Sequence, residues 1–348
     1  MHILLVRNCV LSAHPTEDPE RIVLALAKAL QHSGHRITCL VQKGSECPYG
    51  QTLFINPAVP IEEQIPENID LVHFHCRNPI AIDRPHLSTL YDNLPPGMPG
   101  TTNTVFVSAA QAKLHGGRVH VQPGLHWDEF VLPALGQSRS YCHFLGDASW
   151  PERNVRSAID IAGKAGVRLH VIGGARINFR KELRVTISPF VRFHGTLQLE
   201  GRHALLNQSQ ALLHPIRWPE PFSLAAIESL FFGCPVIGTP IGVLPEMISP
   251  GGAIHRPDEH AHGAVDAVYS DWGCLSMKTS ELTDAVRNVR AFDAHLCHQY
   301  AHTAFAAQRM AADYIALYEQ VLNGRPLHAD PPKGIAEGLL QTLPEMEA

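Results

Sequence analysis

Two glutamates, Glu220 and Glu228, stand eight residues apart at the start of a strongly apolar stretch. Pro221 suits the first turn of a helix, and Gly233 with Pro235 would end that helix. The pattern therefore predicts a helix that contains Glu228 and begins just after Glu220. Because this helix is apolar nearly all round, burial of a lone carboxylate in it would be costly without a partner.

The start of the predicted helix suits an anion. The backbone N–H groups near Phe222, Ser223 and Leu224 have no acceptor within the helix, and the helix dipole is positive at that end. These donors suit a diphosphate. The two carboxylates suit sugar hydroxyls instead, with Glu228 placed for a ribose and Glu220 for a transferred sugar. The alternative is an ordinary amphipathic helix with two surface acids.

Strand and helix patterns alternate around this segment. Several short apolar runs, including residues 1–8, 35–43, 141–149 and 167–174, predict buried parallel strands. A helix is predicted over residues 19–34, and residues 118–125 predict a strand that leads into a turn. Two such series, joined near residues 124–140, indicate parallel sheets with helices on both faces.

Composition limits the kind of protein and its surroundings. The chain has 348 residues, which favours two domains, and a net charge of −5 is not that of a nucleic-acid-binding protein. Its eight cysteines occur singly without a CxxC pair, so no structural zinc site is predicted. The N-terminal run favours a first strand over a signal peptide, and no run of about 18 apolar residues predicts a membrane span. We expect a cytoplasmic location, with peripheral contact at the cytoplasmic membrane face as the variant.

The segment 219–248 resembles the signature of family 4 retaining glycosyltransferases. That family has a glutamate, then proline or glycine, Phe-Gly-Leu, a second glutamate, Gly-x-Pro-Val-Ile and a Gly-x-Pro-Glu turn. The matching positions here are Glu220, Phe222, Leu224, Glu228, Gly233, Pro235, Val236, Ile237, Leu244, Pro245 and Glu246. Ser223 stands where the family has glycine.

The resemblance implies a fold and roles. The fold is α/β of the GT-B type: two facing Rossmann-like domains with a C-terminal helix that crosses back to the N-terminal domain. It implies that Glu220 contacts the donor sugar and Glu228 the ribose, while the amides of Phe222 to Leu224 hold the diphosphate. No metal or other cofactor is implied.

The resemblance extends to residues 144–155. They resemble the family's Gly-Arg…Lys-Asn loop, whose two cations neutralise the diphosphate. Arg153 matches the lysine, and its fixed charge suits phosphate. Asp147 occupies the arginine position, where a carboxylate would repel phosphate, and Arg156 or Arg176 could compensate. A solvated surface charge is the alternative for Arg153.

The first half of the chain departs from the family. The usual glycine loop after the first strand is replaced by residues 10–21, where His14, Glu17 and Asp18 suit either an acceptor contact or a solvated loop. His73 and His75 alternate on one strand and so share a face. By resemblance His75 is a catalytic contact to the donor sugar, and a packed core histidine is the alternative.

One further cluster is weaker. His295, His298 and His302 fall near one helical face, which is conceivable for a metal but more typical of a solvated face.

We therefore predict a retaining glycosyltransferase that moves a sugar from a nucleotide-diphosphate donor to a glycan, lipid or small-molecule acceptor. The expected parts are an N-terminal domain over 1–136, a donor-binding domain over 137–306, a crossing helix over 307–325 and a poorly ordered tail over 326–348. The second hypothesis is a non-catalytic nucleotide-sugar-binding or scaffold protein, and a third is a glycosidase with Glu220 and Glu228 as paired acids. Nothing in the sequence indicates an oligomeric state.

Overall fold

The computed structural model describes residues 1–12, 18–77, 82–178, 184–249, 267–335 and 346. The chain divides into two compact units. Unit 1 comprises Met1–Trp127 and Ala304–Leu339, and unit 2 comprises Asp128–Thr303 and Leu340–Ala348. Within the described ranges no helix is long and apolar enough to cross a bilayer.

The described residues of unit 1 form a six-stranded parallel sheet. Its strands, numbered in chain order, are β1 (His2–Arg7), β2 (Arg36–Val41), β3 (Gln51–Phe54), β4 (Leu71–Phe74), β5 (His86–Leu90) and β6 (Thr104–Phe106). The strand order is β3-β2-β1-β4-β5-β6, and every pair is parallel. The central strands β1 and β4 are fully or almost fully buried, as expected where both faces of a parallel sheet are covered. The predicted strand over 118–125 is reduced to an isolated bridge between Phe106 and His120, since Pro123 has no N–H to extend the ladder.

Three helices of unit 1 have positions that matter here: α1 (Asp18–His32), α2 (Ala109–Leu114) and α9 (Ala307–Leu322). Helix α1 ends before Gly34, whose φ of +84° is left-handed, as predicted for a helix stop. Helix α9 packs against α1 and β5, which confirms the prediction that the last helix returns to the N-terminal domain. A 3₁₀ turn covers Ile61–Gln64.

The segment after α9 differs from the poorly ordered tail that its composition predicted. The amide of Ile335 donates to the carbonyl of Leu94 over 3.1 Å, and the amide of Lys333 donates to that of His115 over 3.0 Å. Ile335 is buried. Backbone pairing and two buried apolar side chains, Leu327 and Ile335, therefore fix residues 326–335 onto unit 1. The rest of the tail, apart from Met346, lies outside the described residues.

Unit 2 holds a second sheet. Its strands are β7 (Tyr141–Leu145), β8 (Arg168–Ile172), β11 (Val191–Phe193), β12 (Ser209–His214), β13 (Val236–Gly238), β14 (Ala267–Ser270) and β15 (Gly273–Ser276). The described part of this sheet has the order β11-β8-β7-β12-β13-β15-β14, with only the β14–β15 pair antiparallel. A separate two-stranded ladder pairs β9 (Ile177–Asn178) with β10 (Arg184–Val185).

The helices of unit 2 cover this sheet. They are α3 (Val155–Ala165), α4 (Leu199–Asn207), α5 (Leu224–Phe231), α6 (Leu244–Ile248), α7 (Thr279–Arg287) and α8 (Ala294–Ala304). Short 3₁₀ turns cover Trp127–Glu129, Pro151–Arg153 and Val289–Ala291. Apolar side chains from α3, α7 and the central strands, such as Phe144, Ile161 and Val286, form one buried core.

The strand order of unit 2 reverses between β7 and β12. Strands on one side of this point follow β7 through β8, and those on the other follow β12 through β13. In open α/β sheets, ligands bind beyond the carboxyl ends of the strands at such a switch point. The loops that leave β7 and β12 carry Arg153 and Glu220, so the fold brings these two residues together.

Candidate functional site

Helix α5 begins where the sequence predicted a helix start. Ser223 is its N-cap, with extended backbone dihedrals, and its hydroxyl accepts from the amide of Ala226 over 3.4 Å. The amides of Leu224 and Ala225 lie in the first turn, where helix geometry provides no backbone acceptor. The end of α5 is also as predicted, because Gly233 adopts a left-handed φ of +73°. The helix therefore presents amides of its first turn at the carboxyl end of β12.

Glu220 is the centre of a charged cluster beyond β12. Its side chain is 3% exposed and contacts the guanidinium of Arg153 and Nε2 of His214, the latter over 2.9 Å. Burial raises the pKa of the Glu220 carboxyl, but Arg153 and His214 together lower it by more, so it lies below its usual range. Glu220 is therefore an ionised carboxylate inside the protein, held by two partners.

Arg153 reaches Glu220 from the loop after β7. The loop makes a 3₁₀ turn over Pro151–Arg153, and Asn154 then caps α3 by accepting from the amide of Ser157. The guanidinium of Arg153 also lies over the ring of Trp218, 5.9 Å from its centroid. Its side chain is 27% exposed, so this cation remains partly open to solvent while it contacts Glu220.

The Asp147 carboxylate makes a hydrogen bond within its own loop. Its carboxylate accepts from the amide of Ser149 over 2.8 Å, and the residue is exposed. Arg176, which the sequence offered as a compensating cation, donates to the backbone carbonyls of Thr186, Ser188 and Val191. These bonds hold the Arg176 guanidinium against the backbone of its own segment. Arg153, and not Arg176, is therefore the cation that the structure places at Glu220.

Glu228 lies one helical turn into α5 and is almost fully buried, with 1% of its side chain exposed. The Nε atom of Arg202, on α4, lies 3.1 Å from one of its carboxylate oxygens. The sequence required a partner for this carboxylate, and Arg202 supplies it. The contact makes Glu228 one half of a buried ion pair.

Gly242 holds the backbone of Glu220 in place. Its φ is +61°, and a Cβ atom built on it would lie 2.5 Å from the amide nitrogen of Glu220 and 2.6 Å from its carbonyl oxygen. The amide of Val243 donates to that carbonyl over 3.0 Å. The turn after β13 therefore packs directly on the loop after β12, and only glycine fits there.

The histidines predicted in unit 1 are both fully buried on β4 and its end. His73 contacts the hydroxyls of Tyr318 and Thr89, each over 2.8 Å, and burial lowers its pKa to about 3. His75 stacks on His73 with ring centroids 3.9 Å apart, as expected for two alternate residues. Its Nδ1 lies 2.8 Å from the hydroxyl of Tyr91, and burial lowers its pKa well below the usual value. His73 is a packed, neutral core histidine.

The remaining predicted positions have partners of their own or lie outside the described residues. His14 and Glu17 lie outside the described residues, and Asp18 contacts Arg21 at the start of α1 over 3.7 Å. On α8, Nδ1 of His298 contacts the carbonyl of Phe231. Among the described residues, no three His, Cys, Asp or Glu side chains are grouped to hold a metal ion.

Sequence reasoning missed His214, Arg202 and Trp218. His214 ends β12 six residues before Glu220, and a polar residue at the carboxyl end of a buried strand was an available signal. Arg202 could not be paired with Glu228, because nothing in the local pattern links a helix before β12 to one after it.

The segment that contains this site is similar to a known protein family. The family described as Glycosyl transferases group 1 matches residues 143–270, the part of unit 2 that includes Arg153, Glu220 and Glu228. No curated protein matches the chain.

Several solved structures share the fold of the whole chain. AviGT4, a glycosyltransferase involved in avilamycin A biosynthesis, has a TM-score of 0.67 at 18% identity over 93% of this chain and 99% of its own. HepE from Anabaena, in complex with UDP and glucose, has a TM-score of 0.63 at 14% identity over 92% and 99%. The catalytic domain of starch synthase IV from Arabidopsis thaliana, bound to ADP and acarbose, has a TM-score of 0.65 at 12% identity over 92% and 99%.

At these identities the neighbours show the fold, which is GT-B as the sequence predicted. The chain thus has two parallel-sheet Rossmann-like units, and residues 143–270 within the second unit are similar to the family described as Glycosyl transferases group 1.

Proposed function

We propose that the protein is a retaining glycosyltransferase that takes its sugar from a nucleotide-diphosphate donor bound to unit 2. One observation carries the proposal: the Arg153–Glu220–His214 cluster lies beside the start of α5, at the switch point of the sheet. A cation, a buried carboxylate and first-turn amides thus meet where nucleotides bind in α/β folds.

The diphosphate is assigned to Arg153 and the first turn of α5. A partly exposed guanidinium gives bidentate, charge-assisted bonds to phosphate oxygens, and the amides of Phe222, Ser223 and Leu224 add the positive end of the helix dipole. Solved neighbours hold UDP with glucose in one case and ADP in another, which supports this ligand class. Titration with UDP-, GDP- and ADP-sugars identifies which nucleotide this chain binds.

The transferred sugar is assigned to Glu220. Its lowered pKa keeps the carboxylate ionised, and an ionised carboxylate accepts strongly from hydroxyl groups. Two roles are open to Glu228: to accept from the ribose, as the resemblance implies, or to serve only as the buried partner of Arg202. Glu228→Gln separates them, because loss of a ribose contact weakens nucleotide binding, whereas loss of the pair changes only stability.

Transfer requires stabilisation of the departing diphosphate, which Arg153 and the α5 amides would supply. We propose no metal cofactor and no protein nucleophile. His75 is proposed as a further catalytic contact to the donor sugar. His75→Ala should lower kcat while the Kd of the nucleotide stays unchanged, whereas a core role would lower only stability.

The acceptor is proposed to be a glycan, a lipid or a small molecule. The second candidate function is nucleotide-sugar binding without transfer, and the observation that favours it is Asp147, an exposed carboxylate where the family has a cation. Asp147→Arg distinguishes the two candidates. In a weak enzyme the added cation should raise turnover, and in a binding protein it should raise affinity without any transfer.

The test is a panel of UDP-, GDP- and ADP-sugars with the purified full-length chain, with turnover followed by release of the nucleoside diphosphate. At least one donor should be hydrolysed slowly or transferred, and the anomeric configuration of any product, read by NMR, should match that of the donor. Retention of activity in EDTA is expected. Inversion at the anomeric carbon would refute the retaining mechanism, and absence of binding to every donor would refute the function.

A further inference from the structure

His214 is a fully buried histidine that hydrogen-bonds to the Glu220 side chain. Its Nε2 lies 2.9 Å from the Glu220 carboxylate and 3.2 Å from the hydroxyl of Ser223. Since an ionised carboxylate only accepts, the Nε2–H group donates to Glu220, and Ser223 lies within reach of the same proton. The ring therefore ties the carboxylate to the N-cap of α5.

The other ring nitrogen of His214 makes no hydrogen bond that would stabilise the fold within the described residues. Nδ1 is buried, and no hydrogen-bond partner for it is present among the described residues. A fully buried polar atom without a partner is unfavourable, and an apolar side chain of similar size would avoid that penalty.

His143 shows what a purely structural histidine looks like in the same sheet. It is fully buried on β7, next to β12, and both of its ring nitrogens contact serine hydroxyls, Ser209 over 2.7 Å and Ser229 over 2.8 Å. His143 thus has its polar atoms satisfied within the core. His214 instead directs its one bonded nitrogen at Glu220.

We propose that His214 is a positioning residue that holds the Glu220 carboxylate toward the transferred sugar while Arg153 binds the diphosphate. This inference rests on the proposed function of unit 2. Arg153 is the only partly exposed member of the three and is the group assigned to the phosphates, so it is shared between two anions. His214 is fully buried and contacts the Glu220 carboxylate and the neutral hydroxyl of Ser223, so the ring keeps that carboxylate partnered when the guanidinium turns to the donor.

The test compares His214→Leu with His214→Gln, whose side-chain amide retains a donor near the Nε2 position, and with His143→Leu as the matched core control. Calorimetry measures the Kd of a nucleoside diphosphate and of its sugar form, UDP against UDP-glucose and ADP against ADP-glucose. In His214→Leu the ratio of the sugar-form Kd to the diphosphate Kd should rise about tenfold or more, the scale of a lost hydrogen bond to a charged group. His214→Gln should restore most of it, and His143→Leu should leave the ratio unchanged despite lower stability.

A second readout needs no ligand, so it separates failure of this inference from failure of the proposed function. In ¹³C-glutamate-labelled protein, the Glu220 carboxyl signal, assigned with Glu220→Gln, should titrate at higher pH in His214→Leu than in the wild type, since Arg153 and His214 are the two partners that lower its pKa. His143→Leu should titrate as the wild type does. An unchanged midpoint in His214→Leu, or an unchanged Kd ratio, would overturn the positioning role. Absence of nucleotide binding with a shifted midpoint would refute only the donor function.

Discussion

Gly242→Ala should disturb the candidate site through the backbone of Glu220. The new Cβ atom would lie 2.5 Å from the Glu220 amide nitrogen and 2.6 Å from its carbonyl oxygen, and backbone atoms cannot rotate away as a side chain can. Either the turn after β13 or the loop after β12 must therefore shift. Either shift moves the carboxylate relative to Arg153 and weakens the hydrogen bond from Val243.

The expected loss of unfolding free energy in Gly242→Ala has two contributions. A non-glycine residue at the left-handed φ of +61° costs about 1–2 kcal/mol. Forced overpacking adds about 1–3 kcal/mol. Gly166, at the end of α3, has a similar φ of +73° but no atom within 4 Å of its added Cβ. Gly166→Ala therefore carries the first part alone, and the difference between the two variants measures the contact with Glu220.

Urea unfolding of unliganded protein gives the two free-energy changes, and calorimetry gives the Kd of whichever nucleotide sugar the wild type binds. We expect a loss of about 2–5 kcal/mol for Gly242→Ala and about 1–2 kcal/mol for Gly166→Ala. Only the former should also weaken sugar-nucleotide binding. Equal destabilisation by the two substitutions, or normal binding by Gly242→Ala, would refute the view that this glycine sets the position of Glu220.

Three further predictions concern the charged groups. Arg153→Met should weaken nucleoside diphosphate binding about tenfold or more in calorimetry, and Arg153→Lys should weaken it less; equal affinities in all three proteins would contradict the phosphate role. Arg202→Leu should lower the free energy of unfolding in urea by about 3 kcal/mol or more, because it leaves Glu228 as a buried charge without a partner cation. The double variant with Glu228→Gln should recover part of this loss. No recovery would argue against the Arg202–Glu228 ion pair. The lowered pKa of Glu220 contributes stability that is complete above the ordinary pKa of 4.5 and is lost as pH falls through the lower pKa of the folded state. Glu220→Gln should therefore flatten the acid side of the plot of unfolding free energy against pH. An identical acid slope in the two proteins would exclude the pKa shift.

The fold was predictable wherever a local pattern carried the information. Helix α1, strands β1 and β7 and helix α5 each combine an apolar run of the right period with a stop signal such as Gly34 or Gly233, and the structure confirms them. The alternation of strands and helices then gave two parallel sheets. Short elements such as β3, with its half-exposed residues, have no such signal and depend on pairing with a neighbouring strand.

The sequence pattern singled out residues of the candidate site, but it did not predict which of their side chains contact one another. Spacing placed Glu220 and Ser223 at a helix start, and composition showed that Glu228 needed a partner. The identity of each partner depends on the strand order, which brings the loop after β7 beside the loop after β12 and so sets Arg153 against Glu220. His214 carried one signal, as a polar residue at the carboxyl end of a buried strand, but a histidine in a core strand is an ordinary occurrence, so that signal alone did not single it out.

The central claim is that unit 2 binds a nucleotide-diphosphate sugar through Arg153, Glu220 and the start of α5. Calorimetric titration of the full chain with UDP-glucose, ADP-glucose and GDP-mannose, in the wild type and in Glu220→Gln, tests it most directly. We expect saturable binding of at least one donor by the wild type, and in Glu220→Gln a selective loss of affinity for that donor over its nucleoside diphosphate. Binding of none of the three by folded wild type, or equal affinities in the two proteins, would contradict it.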